Sequence, residues 1–157
     1  MRWPWRRRRP LVLYVATGLT GNHFYAPHYR SCAYYRLLCR VTDVLATLDA
    51  DVVVKLHTAA EHQYNPLPER LRGSGIRVVS SGLLVQWLRR ASLVVLDNGG
   101  TPLLEALAAD VPVLLYEPAH WAMSPEALAW LRERATVVTT EPAFLDALRL
   151  FADLPRV

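Results

Sequence analysis

Residues 92–116 read SLVVLDNGGTPLLEALAADVPVLLY, and the order of patterns inside this stretch decides the fold. Residues 92–96 are a short apolar run without alternation, closed by Asp97-Asn98-Gly99-Gly100, which is how a strand buried on both faces reads. Residues 102–109 then take a helical pattern, opened by Thr101-Pro102, a favoured cap and first-turn pair. Residues 111–116 return to a continuous apolar run. Strand, glycine turn, helix and strand in succession predict parallel strands joined by a crossover helix.

Working outward, the same alternation covers the chain. LVLYVA at 11–16 and DVVVKL at 51–56 are strand-like, as are 76–80 and 136–139. Between the first two, Tyr34, Leu37, Leu38, Val41, Leu45 and Leu48 recur at three- and four-residue steps, one stripe of a helix over 31–49. Helical patterns follow at 83–90, at 125–135 behind Ser124-Pro125, and at 141–154. Pro66 and Pro68 break the pattern, so 58–67 is expected to be loop. The expectation is one α/β domain, a doubly wound and mainly parallel six-stranded sheet with helices on both faces. Ligands of such sheets lie beyond the carboxyl ends of the strands, here 17–30, 57–65, 80–83, 97–102 and 116–124.

Composition narrows the function. The chain has 157 residues, the size of one domain, and is 52% hydrophobic and 20% charged, which excludes global disorder. Its formal charge of +4 is local: Arg2, Arg6, Arg7, Arg8 and Arg9 stand in the first ten residues, which hold no acid. The other thirteen basic residues face fourteen acidic ones, so the body is near neutral and no nucleic-acid partner is expected. Two cysteines make no disulfide framework, and Cys32 and Cys39, seven apart on a helix, read as core packing. No Cys/His cluster has metal-ligand spacing, so no metal is expected. No apolar run approaches the roughly 20 residues of a spanning helix, and nothing resembles a cleavable signal. A cytoplasmic protein is expected. MRWPWRRRRP at 1–10 is set apart as a basic-aromatic, disordered arm before the domain at 11–157. Its arginines and indoles suit peripheral contact with an anionic membrane at the inner face, or serve only as a leader.

Several residues stand out at the expected strand ends. Gly99 and Gly100 let backbone approach a ligand, and the helix start at Thr101 offers N–H groups and a positive dipole end to a phosphate. Asn98 belongs to the same turn, and Glu105, expected in the first helical turn or so, suits ribose hydroxyls; the bland alternative is a tight turn and a dipole partner. Lys55 is the only lysine among eighteen basic residues, and alternation puts His57 on its side of the strand. Burying a charge inside the sheet is costly, so this pair is expected to emerge at the sheet edge toward an anion. Ser81 and Gly82, within Ser80-Ser81-Gly82, suit a base or phosphate, or merely cap a helix. His23, in the glycine-rich loop 18–23, offers a general base or a plain polar loop residue. Glu117, His120 and Trp121 follow the fifth strand and can line a pocket.

The block from Asp97 to Glu133, DNGGTPLLEALAADVPVLLYEPAHWAMSPEALAWLRE, resembles the C-terminal half of GT-B glycosyltransferases, nearest to a group of surface-carbohydrate (capsule or lipopolysaccharide) biosynthesis transferases. VVVKLH at 52–57 is similar to their K-x-H element, and YVATGLTGNHF at 14–24 to the strand and loop that lead into their C-terminal domain. The resemblance spans residues 11–150 and is specific over 97–131. It implies a Rossmann-like domain that binds a nucleotide sugar as substrate rather than a cofactor. Lys55 and His57 would meet the donor phosphates, Gly99, Gly100 and Thr101 would surround the diphosphate, and Glu105 would meet the ribose. Asp97 and Glu105 stand eight apart, similar to the paired glutamates of retaining members, with Asp in place of the first Glu; Thr58 replaces the proline that follows K-x-H. His23 and Asp97 are the catalytic candidates. Such enzymes have two domains, so the resemblance implies a missing acceptor-side domain or partner chain. Two other readings stand beside it: a sugar-nucleotide epimerase-like domain and a non-catalytic Rossmann-like protein-interaction module.

Overall fold

The apolar runs at 11–15, 51–55, 93–96 and 113–116 form strands buried on both faces along most of their length, as their lack of alternation requires, whereas the two edge strands are exposed to half-buried. In the computed structural model, which describes residues 9–19, 31–57, 65–118 and 123–152, the order is β1 (Leu11–Val15), α1 (Ser31–Leu45), β2 (Asp51–Lys55), α2 (Leu67–Arg70), β3 (Arg77–Val79), α3 (Leu84–Leu88), β4 (Leu93–Leu96), α4 (Thr101–Ala108), β5 (Val113–Tyr116), α5 (Pro125–Arg132), β6 (Thr136–Val138) and α6 (Glu141–Ala152). The six strands make one sheet in the order β3-β2-β1-β4-β5-β6, and every pair is parallel. This is a doubly wound, Rossmann-like α/β fold whose strand order reverses between β1 and β4.

Residue parity assigns the two faces. Val12, Tyr14, Val52, Val54, Val95, Leu114 and Tyr116 pack with Leu37, Leu38, Val41 and Leu45 of α1, Leu67 of α2, and Phe144 and Leu148 of α6. Leu11, Leu13, Val53, Val94, Leu96, Val113 and Leu115 pack with Leu88 of α3, Leu103, Ala106 and Leu107 of α4, and Leu131 of α5. The rings of Tyr116 and Phe144 stack with centroids 5.2 Å apart, fixing α6 on β5.

Three local expectations change. The segment expected as loop through residue 67 gives way to the single helical turn α2, because Pro66 sits at its N-cap and Pro68 in its first turn, where no N–H is needed. The side-chain oxygen of Asn65 accepts the Leu67 N–H at 2.9 Å. Helix α4 begins one residue earlier than expected: Gly100 is the N-cap, without a side-chain cap bond, and Thr101 is already helical. Ser124 does cap α5, accepting the Ala127 N–H at 3.2 Å. Finally, Cys32 is exposed and Cys39 half-buried, so the pair is not core packing: their face of α1 points partly away from the sheet.

Candidate functional site

At the carboxyl edge of the sheet, where the order reverses, lies a cavity of about 620 Å³. Four connections line it: Val15–Gly18 after β1, Lys55–His57 after β2, Gly82–Val85 before and into α3, and Leu96, Asn98 and Gly100–Pro102 between β4 and α4, with Glu105 from α4. Ordinary ligand pockets are of this size. Of the residues singled out from the sequence, Lys55, His57, Gly82, Asn98, Gly100, Thr101 and Glu105 meet in this one cavity. Ser81 is exposed and outside the lining, and His23, His120 and Trp121 lie outside the described residues.

Lys55 is the last residue of β2 and shares the α3/α4 face with Val53. It is 5% exposed, and its Nζ donates to the carbonyl oxygen of Ser80 at 3.2 Å and more weakly to that of Leu56 at 3.5 Å. The lysine is thus more enclosed than expected. Backbone carbonyls at the sheet edge share its charge and tie β2 to the β3–α3 connection. His57, two residues on, is exposed on the same cavity wall. Gly82 holds φ +82°, a conformation only glycine adopts without strain, and turns the chain into Leu83 and Leu84. Leu83 is 66% exposed and Val85 40%, an apolar lip that sequence reading passed over because isolated aliphatics carry no pattern.

The β4–α4 turn is the most constrained part of the site. Gly99 does not line the cavity; a side chain there would place Cβ 2.1 Å from Met123 Cε and 3.2 Å from Glu117 Oε2. Gly100 opens α4, whose first turn carries Pro102, so Gly100 and Thr101 supply the backbone N–H groups nearest the helix start. The Leu103 N–H is taken by the Gly100 carbonyl at 2.9 Å. Glu105 is exposed and falls in the second helical turn rather than the first, still on the cavity wall.

Asp97 takes a different place. Leu96 faces α3 and α4, so the next residue turns to the α1 side, and Asp97 is 2% exposed there. Its Oδ2 accepts the Tyr14 hydroxyl at 2.5 Å and the Tyr34 hydroxyl at 2.6 Å; its Oδ1 accepts the Thr17 hydroxyl at 2.6 Å and the Thr17 N–H at 3.2 Å. Burial pushes its carboxyl above the usual aspartate range, and the bonds from Thr17, Tyr14 and Tyr34 pull the other way. Both tyrosines are pushed well above their ordinary value, first by burial and then by the Asp97 charge. Tyr14 had a legible signal, a hydroxyl-bearing ring in an otherwise aliphatic strand; Tyr34 lay hidden in the apolar stripe of α1.

Glu117 follows β5 on the opposite face and is 1% exposed. Neither carboxylate oxygen has a hydrogen-bond partner of ordinary geometry. Burial pushes its carboxyl up, and the nearby Gly99 N–H offsets this only in part. Among the described residues no group of three or more His, Cys, Asp or Glu can hold a metal, and no helix is long and apolar enough to cross a membrane.

Comparison with known proteins bears on this site. The family model described as the LIC12162 family transferase matches residues 42–140, which include β2 through β6. The fold is similar to those of GT-B glycosyltransferases. One is the glycosyltransferase VinC, solved in complex with DTDP (TM-score 0.56, 22% identity, 92% of this chain and 33% of that one). Others are the glycosyltransferase SnogD from Streptomyces nogalater (0.58, 18%, 95% and 40%) and the spinosyn forosaminyltransferase SpnP (0.55, 19%, 94% and 41%). The chain thus spans well under half the length of these structures. Among curated proteins nothing matches.

Proposed function

The chain belongs to the LIC12162 family of transferases, and from that premise we propose that it is the donor-binding half of a GT-B-type glycosyltransferase, taking a nucleotide sugar as substrate. The observation that carries this reading is the convergence of Lys55, His57, Gly100, Thr101 and Glu105 on one cavity at the switch point of the sheet. A diphosphate at the start of α4 meets the dipole, the Gly100 and Thr101 N–H groups, the positive charge of Lys55 and the imidazole of His57. Glu105, one turn further along α4, is set to accept ribose hydroxyls. Leu83 and Val85, exposed at the mouth, offer apolar contact to a base. That VinC was solved with DTDP supports the ligand class.

Glycosyl transfer also needs an acceptor hydroxyl held against the donor carbon, usually beside a base. Full-length relatives by structure are more than twice this span, so the acceptor side belongs to a further domain or a partner chain. His23 is the base we retain from the chain itself. We place the activity in surface-polysaccharide synthesis at the cytoplasmic side of the membrane, with residues 1–10 as the anionic-lipid contact. Calorimetric titration against UDP-, GDP-, CDP- and dTDP-sugars tests the reading. One class is expected to bind and to raise the melting temperature, because a ligand of the folded state stabilises by mass action. No heat and no stabilisation at millimolar concentration with any of them would favour a protein-interaction module instead.

A further inference from the structure

The Asp97 cluster joins three segments that are far apart in sequence. The last paired rung between β1 and β4 is Val15 with Leu96. Beyond that rung β1 runs into residues 16–18 and β4 into 98–102, and Ala16, Thr17 and Gly18 from the one and Asn98 and Gly100–Pro102 from the other line the same cavity. The Asp97 carboxylate continues the connection past the ladder by accepting both the N–H and the hydroxyl of Thr17. Tyr34, in the first turn of α1, donates to Asp97 Oδ2 and also lies 2.9 Å from the Thr17 carbonyl oxygen, so the same knot binds the start of α1.

We propose that Asp97 is a positioning residue: through Thr17 and Tyr34 it sets the gap between segments 15–18 and 98–102 across the cavity, without touching a ligand itself. Its side chain lies on the α1 side of the sheet and is absent from the cavity lining, which Lys55, Leu96 and the starts of α3 and α4 dominate. With two donors on each oxygen the carboxylate has no lone pair directed at the cavity. A displaced Thr17 moves the Val15–Gly18 wall, and a displaced Asp97 moves the Gly100–Thr101 wall. Buried charges saturated by hydrogen bonds fix geometry, because losing any partner leaves an expensive unpaired group. In its ligand-binding arm this inference rests on the donor-site reading above.

The test compares Asp97→Asn and Tyr34→Phe with Leu148→Ala, a buried core variant on α6 outside the cavity lining that serves as a destabilised control. Affinity for dTDP and UDP is measured by calorimetry under conditions where denaturation curves show each variant fully folded. Asp97→Asn and Tyr34→Phe should each weaken binding roughly 2- to 30-fold, the span of coupling effects from residues that do not contact a ligand. Leu148→Ala should stay within about twofold of the parent. If Asp97→Asn does not fold, the milder Tyr34→Phe decides. Parent-like affinity in both site variants, at a stability loss equal to that of Leu148→Ala, would reduce Asp97 to a core anchor. Should the parent bind neither nucleotide, the donor-site reading fails separately, and the amide resonances of Gly100 and Thr101 then judge the positioning role. They should move in Tyr34→Phe, a change on α1, and unmoved resonances overturn the proposal.

Discussion

Replacing Glu117 by Gln keeps the side-chain shape and removes its titration, and the consequence for stability can be worked out from burial. The carboxyl is 1% exposed, without ordinary hydrogen bonds, and pushed above its usual value by burial. Between its unfolded and folded pKa the native state therefore holds a proton that the unfolded chain has released. That contribution to stability is fully present below the unfolded value and is lost as pH rises through the folded value. One proton gives a slope of at most ~1.4 kcal/mol per pH unit. For a domain of this size that is roughly 3–6 °C in melting temperature per pH unit. Asp97 is raised by burial as well and tilts the curve the same way, but it does so in parent and variant alike. The difference between the two curves therefore isolates Glu117. The amide of Gln leaves its own buried donors unpaired, at a cost of about 1–3 kcal/mol that displaces the curve without tilting it. Urea denaturation at steps between pH ~4.5 and ~8 supplies both curves. The stability of the parent minus that of the variant should fall as pH rises. Curves that run parallel, or a difference that grows with pH, would refute the upward shift of the buried Glu117 carboxyl.

Three further outcomes are expected. Lys55→Met, which keeps the apolar stem and removes the ammonium, should weaken nucleoside diphosphate binding by about tenfold or more and nucleoside binding much less, the contrast expected for a charge-assisted contact; equal losses by calorimetry would remove its phosphate role. Phe144→Ala, at a fully buried ring stacked on Tyr116, should cost about 3–5 kcal/mol in chemical denaturation with the transition still cooperative. Deleting residues 1–10 should abolish sedimentation with anionic liposomes, to which five arginines contribute at most about 1 kcal/mol each; sedimentation that survives the deletion would assign lipid contact elsewhere.

The alternation of strands and helices was legible because a parallel sheet buries both strand faces, which turns each strand into an unbroken apolar run. The turn α2 was not, since Pro66 and Pro68 look like breakers until one knows that they fall at a helix start. The cavity wall was legible where composition was unusual: a single lysine, and a Gly-Gly turn of which Gly100 lines the cavity, with a Thr-Pro after it. Asp97 shows where that method stops. Its eight-residue spacing from Glu105 suggests two carboxylates acting together, yet one step of strand parity after Leu96 sends them to opposite sides of the sheet. The partners that bury it, Tyr14 and Tyr34, are 83 and 63 residues away, a separation that local pattern does not span. Glu117 was visible only as one polar residue after a strand. Its carboxyl lies against Gly99, where a side chain's Cβ would come within 3.2 Å of Oε2.

The strand order also dictates a sequence of events during synthesis. The earliest strand of this sheet in chain order, β1, lies in its middle, between β2 and β4. One side of it is satisfied once residue 55 emerges, but the other side stays bare until residues 93–96 are available. Helix α6 brings Phe144 and Leu148 to the face that α1 began to cover about a hundred residues earlier. A nascent chain released before α6 would carry Tyr116 and its aliphatic neighbours uncovered, the kind of surface that chaperones hold and that otherwise aggregates. Long-range parallel pairing of this kind is slow to form. Within this domain the twelve residues of α6 close the face that α1 opens, so the core is finished by the element farthest from it in the chain.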